Sequence, residues 1–162
     1  IKELFLDSFE YRPERAEPLY EISRTYRAMN KPKLAYIYAK MGCEVSFPHQ
    51  DILFIGQDVY DWKMLDEFAA TAFYMNDFHN GHMACQLLLS KLHLIPESEH
   101  KRIRENANTY AQTLNNIEIQ KRENEKKFKE KEKELKSLKK ESKKMQEKKS
   151  TKVNSRRTKA HK

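Results

Sequence analysis

The chain has 162 residues, with 32 Lys+Arg against 24 Asp+Glu, and the excess is unevenly placed. Residues 1–120 hold 13 basic and 17 acidic side chains, whereas residues 121–162 hold 19 and 7. The basic balance therefore belongs to a tail, which argues against the whole protein being nucleic-acid-binding, and no apolar run approaches the 18 or so residues of a membrane span.

Sixteen of the seventeen aromatic residues precede position 111, and Phe128 is the exception. The apolar core therefore has to be built by the first 110 residues or so. Only Gly42, Gly56 and Gly81 break the chain as glycines, and no proline follows Pro96. Helix breakers are thus absent from the last 66 residues, which predicts an all-α chain ending in a long charged helix. The expected division is a helical domain over 1–120 and a basic arm, helical or disordered, over 121–162. Cys43 and Cys85 are isolated and make no disulfide framework. They read as structural thiols of a cytoplasmic protein in a reducing compartment. Ile1 opens a segment that is already apolar, which suggests a piece of something longer.

In chain order, Lys2–Glu10 reads as the end of an element, with Leu4, Phe5 and Phe9 on one helical stripe and a short strand as the other reading. Pro13 suits the first turn of the next helix, with Glu14 and Glu17 at its positive end. Leu19, Ile22, Tyr26 and Met29 follow with the spacing of a buried face. Asn30-Lys31-Pro32 breaks that helix, and Leu34–Met41 supplies a partner in which Ala35 and Ala39 permit close approach. Gly42 is placed to end it. Glu44–Gln57 reads as a loop or short extended piece. Helical spacing resumes through Val59, Trp62, Leu65, Ala69, Ala72 and Phe73, turns at Asn76-Asp77, and continues over Gly81–His93 with Ala84, Leu87, Leu88 and Leu92 inward. After Pro96, Ile103, Ala107, Tyr110, Leu114 and Ile117 predict a capping helix.

Beyond it, Glu123/Lys127, Glu125/Lys129 and Glu132/Lys136 are Glu-first i,i+4 pairs. A heptad frame through Leu114, Ile117, Phe128, Leu135, Leu138 and Met145 has apolar residues at six of its ten a/d sites. A coiled coil wants a nearly unbroken seam. The arm is therefore read as a solvated single helix fraying past Lys149, with weak self-association as the other reading.

Ile22-Ser23, Tyr26, Asn30 and Ala35 resemble the large-small pair, aromatic, turn residue and close-packing alanine of a tetratricopeptide repeat. A second, degenerate copy runs through Ala69-Ala70, Phe73-Tyr74, Asn76-Asp77-Phe78 and Gly81. Three further segments resemble the repeat region behind the catalytic domain of family-two glycosyltransferases, the inverting, nucleotide-sugar-dependent enzymes. They are Tyr11-Arg12-Pro13-Glu14-Arg15-Ala16-Glu17-Pro18-Leu19-Tyr20, Asp51-Ile52-Leu53-Phe54-Ile55, and Val59-Tyr60-Asp61-Trp62-Lys63-Met64-Leu65-Asp66-Glu67. The resemblance covers about residues 10–110. It implies antiparallel helical repeats and a sugar-transferring domain upstream of Ile1, where that family holds metal and donor through Asp-x-Asp. This chain has no Asp-x-Asp, and Asp58 and Asp61 stand too far apart to make one. No cofactor and no catalytic residue is therefore expected here.

The expected function is a non-catalytic scaffold that positions a protein partner, an acceptor or the upstream domain. The alternative is nonspecific nucleic-acid association through 121–162, whose lysines can release phosphate counterions but whose lack of aromatics leaves no base readout. Arg12, Arg15, Glu17, Tyr60, Asp61 and Trp62 mix charge with aromatics as ligand grooves do, and are the candidate binding residues. The competing expectation puts Trp62 in the core and makes the charges a helix-start network. His79, His82 and Cys85 share one helical face, but no fourth zinc ligand is evident.

Overall fold

The computed structural model describes residues 2–51 and 53–159, and side-chain burial for 3–51 and 53–140. Ile1, Ile52 of the Asp51–Ile55 motif and the Met145 side chain of the heptad frame lie outside what is described. The helices are α1 (Lys2–Tyr11), α2 (Glu17–Ala28), α3 (Pro32–Glu44), α4 (Met64–Ala72), α5 (Phe78–Ser90) and α6 (Glu97–Lys159). A π-helical turn, Val59–Lys63, leads into α4, and 3₁₀ turns follow α4 (Phe73–Met75) and α5 (Leu92–Leu94). No strand occurs among the described residues, so the chain is all-α with a long C-terminal helix. No helix among them is long and apolar enough to cross a membrane.

The chain falls into a compact body, Ile1–Asn115, and an arm, Asn116–Lys162. In the body α1 packs on α2, α2 on α3, α3 on α4 and α4 on α5. Leu19 and Ile22 are buried as their spacing requires, while Met29 caps the helix and stands exposed. Ser23, fully buried, donates its hydroxyl to the Ala35 carbonyl at 2.9 Å, so α2 and α3 touch through small residues. Tyr26 stacks on Tyr38 with ring centres 5.6 Å apart. Asn30 and Asn76 take positive φ values of 57°, which asparagine tolerates better than most residues. Each sits at the break between two helices.

The larger core cluster joins Tyr36, Trp62, Phe68, Leu88, Ile103 and Tyr110, and a smaller one joins Ala16, Leu19, Val59 and Met64. Asp66 and Glu67, adjacent on α4, serve different neighbours. Glu67 takes two hydrogen bonds from Arg27 of α2, at 2.6 and 2.7 Å. Asp66 takes two from Arg102 of α6, at 2.8 and 3.0 Å. Consecutive helix positions point about 100° apart, so one acid pair ties α4 to helices on two sides.

Several expectations are corrected. Lys2–Tyr11 is helix, as the stripe reading has it and against the strand reading, but Leu4 leaves the stripe and is exposed while Phe5 and Phe9 are half-buried. Pro13 lies in the turn before α2, and Pro18 takes the N-terminal position where a missing N–H costs nothing. Gly42 does not end its helix. It lies inside α3, buried, and an added Cβ would collide with the Met64 side chain, so the position serves close packing. Leu87 faces solvent rather than the core. The helix α6 continues to Lys159, past the Lys149 beyond which fraying is expected. Of the expected i,i+4 pairs Glu132–Lys136 forms at 2.6 Å, and Glu118–Arg122 forms another of the same polarity.

Candidate functional site

Between α3 and the π-helical turn the chain makes a loop over 45–56, with no helix among its described residues. Long structureless loops need tethering by something other than a backbone ladder. Here the tether comes from the turn before α2. Arg12 donates to both Asp51 oxygens at 2.8 and 3.0 Å, and Arg15 donates to Asp51 at 2.8 Å. Arg15 also holds both Glu17 oxygens and the Phe54 carbonyl, the last at 2.6 Å. Glu17 in turn accepts from the Gly56 N–H at 3.0 Å and the Tyr60 hydroxyl at 2.7 Å, while the Ala16 N–H donates to Tyr60 Oη at 3.0 Å.

The electrostatics follow from those bonds. Hydrogen bonds from Arg12, then Arg15, hold the Asp51 carboxyl below its ordinary value. Burial works to raise Glu17, but hydrogen bonds from Arg15 and Tyr60 outweigh it and its pKa is lowered. Burial pushes the Tyr60 phenol up to about 12, so it stays a donor at neutral pH. Every acid in this cluster already faces a guanidinium or a hydroxyl. None is left as a free general base, and the bonds run from the turn before α2 to the loop.

Four of the six candidate residues, Arg12, Arg15, Glu17 and Tyr60, therefore meet. Asp61 and Trp62 do not join them. Successive residues on a helical turn cannot share a face, so Trp62 goes to the core and Asp61 turns away. The Asp61 carboxylate accepts from Gln57 Nε2 at 2.9 Å, and its carbonyl accepts from Lys91 Nζ at 3.0 Å. Trp62 lies in the core, and Arg12, Arg15, Glu17 and Tyr60 form one hydrogen-bonded network at the start of α2. Asp51, the acid both arginines converge on, was missed as a site residue. A lone aspartate 36 and 39 positions from its partners carries no periodic pattern to expose it.

The clamped loop forms one wall of a groove of about 490 Å³. Val59, Met64, Leu65 and Leu87 supply much of its apolar lining, and Asp61 and Lys91 stand at the same groove. Phe47 reaches in from the loop, edge-on to Tyr60 at 5.2 Å and to His49 at 5.0 Å between ring centres. Cys43 is exposed as a residue, yet its Sγ turns toward the Met64 carbonyl at 3.8 Å. That desolvation pushes the thiol up to about 12, which removes the thiolate a nucleophile would need. Of the His79/His82/Cys85 face, Cys85 is packed in the core, and among the described residues no three possible metal ligands are grouped together. No protein-family model, no curated protein and no solved structure matches this chain.

The clamp makes a pH-dependent prediction. Asp51 and Glu17 titrate lower in the folded chain than in the unfolded one, so their contribution is complete above about pH 5 and is lost as the pH falls through the depressed native values. At neutral pH, Asp51→Asn should mimic the acid state. Chymotrypsin cleavage after Phe54, which is 94% exposed, should rise about tenfold through local opening while the global melting temperature barely moves. Unchanged cleavage would mean that the loop is held by other contacts.

Proposed function

We propose that this chain is a non-catalytic scaffold, the rear part of a family-two glycosyltransferase, that receives an extended segment of its partner in the groove beside the clamped loop. The observation that carries this reading is the groove itself: apolar on most of its lining and edged by Lys91, whose ammonium donates to the Asp61 carbonyl, and by Asp61, whose carboxylate accepts from Gln57. Such a surface suits recognition by burial with a few orienting polar groups. The tetratricopeptide-like reading of the body is supported by the sequential packing from α2 to α5, by the Ser23–Ala35 contact, and by Gly81 at the second close-packing position.

Peptides selected from a random display library against the full chain should carry apolar or aromatic residues and should lose at least about tenfold in affinity to Leu87→Glu. Leu87 is 47% exposed, so the substitution spares the core. Selected peptides that bind wild type and Leu87→Glu equally would defeat the groove reading. In parallel, titration with nucleotide-sugars and manganese should give no saturable heat, since developing phosphate charge needs a metal or cationic clamp and the arginines here are occupied. Saturable binding that Arg15→Ala abolishes would instead make the clamp a ligand site.

A further inference from the structure

The arm carries a second surface, independent of the groove. Ile117, Phe128, Leu135 and Leu138 stand 44%, 70%, 52% and 54% exposed on α6. They occupy a and d positions of one heptad frame, with Lys121, Asn124 and Lys131 at the sites between. An amphipathic stripe of this width on a helix otherwise rich in Lys and Glu is an unpartnered seam. We propose that this seam is covered by the same segment of a second copy of the chain, as a parallel, in-register two-stranded coiled coil.

Charge complementarity selects that occupant. In the frame that puts Phe128 and Leu135 at a, the e positions are Glu118, Glu125, Glu132 and Lys139, and the g positions include Lys127 and Glu134. A parallel dimer sets each g residue against the following e residue of its partner. Lys127 then meets Glu132 and Glu134 meets Lys139, and the two-fold axis repeats both pairs. No like-charged g–e pair arises between Ile117 and Lys139. An antiparallel dimer would pair e with e, setting a column of mostly glutamates against itself. Glu132 also bonds Lys136 within its own helix, but both side chains are half-exposed or more and an exposed pair of this kind yields readily.

The net charge of the arm opposes association, yet most of it lies outside the seam. Residues 116–140 carry ten basic and six acidic side chains, and 141–162 carry nine and two. Salt screens that repulsion over about 8 Å at physiological ionic strength. Dimerisation therefore strengthens with added salt, opposite to the behaviour of a phosphate-binding arm. Lys121, Asn124 and Lys131 in the seam fix the register and keep the dimer weak.

Sedimentation equilibrium of the full chain tests this. The average mass should climb from 19.4 kDa toward twice that value between about 10 µM and about 1 mM, and should climb further in high salt. Leu135→Asp/Leu138→Asp, on an exposed face of the arm, should hold the monomer mass throughout. Lys127→Glu should weaken the dimer at least about fivefold, and adding Glu132→Lys should restore it. Asn124→Cys, at a d site, should form a disulfide-linked dimer on mild oxidation. A monomer at every concentration overturns the proposal, as does a dimer indifferent to the Leu135/Leu138 change. A dimer that Asn124→Cys fails to cross-link overturns the parallel register.

Discussion

Gly81→Val should destabilise the body by about 3 kcal/mol or more, at or beyond the upper end of what overpacking a core costs. Gly81 is buried in α5 against Tyr110, and a Cβ there would fall far inside van der Waals contact with the tyrosine ring. The ring has nowhere to go. Tyr110 is 2% exposed, its hydroxyl donates to the Ala69 carbonyl at 2.6 Å, and Phe73 packs edge-on against it at 5.7 Å. Relief would require α5 to move off its neighbours. Gly42 provides the internal comparison, because a Cβ at that position meets the end of Met64, a flexible side chain that can choose another rotamer. Gly42→Ala should therefore cost only about 1 kcal/mol. Urea melts of the two variants should separate by about 2 kcal/mol in that order. Equal losses would show that Tyr110 yields as easily as Met64.

That contrast also shows which parts of the fold were legible in the sequence. Periodicity found the helices, because burying Leu19 with Ile22, or Ile103 with Ala107 and Tyr110, requires the 3.6-residue repeat wherever those helices dock. It placed helix ends less well. Pro13 and Pro18 both suit a first turn, and the helix begins at Glu17, beyond the turn whose Arg12 and Arg15 pair with Asp51. Gly42 carries the mark of a helix terminator, but the reason for glycine there is a neighbour 22 residues away. The candidate site was half legible for the same reason. Arg12, Arg15 and Glu17 are close in sequence and stay close in space, whereas Asp51 and Gly56 join them through a loop with no pattern. Tyr60, Asp61 and Trp62 read as one motif, yet a helical turn sends Trp62 into the core and leaves Tyr60 and Asp61 at the groove. Asp66 and Glu67 read only as the end of that motif, although they tie α4 to two other helices.

Arg27→Ala should cost about 2–3 kcal/mol, more than its position on the surface suggests. Its partner Glu67 has a side chain only 4% exposed and receives both hydrogen bonds from this one guanidinium. Removing the arginine leaves a carboxylate inside the body without its counter-charge. Stranding one member of a fully enclosed pair costs about 3–5 kcal/mol. The Arg27 side chain is 47% exposed, so water reaches the vacated site and lowers that figure. Glu67→Gln is expected to lose less, about 1 kcal/mol, since a neutral amide needs less solvation and Arg27 can turn outward. The decisive variant is Arg27→Met/Glu67→Leu, which replaces both charges by apolar side chains of similar reach. It should recover most of the stability lost by Arg27→Ala, because the loss comes from the unpaired buried charge and not from a large net attraction in the pair. Urea unfolding of the three variants separates the explanations. A double variant as unstable as Arg27→Ala would show that the ion pair itself, or the exact shape of the two side chains, holds α2 to α4.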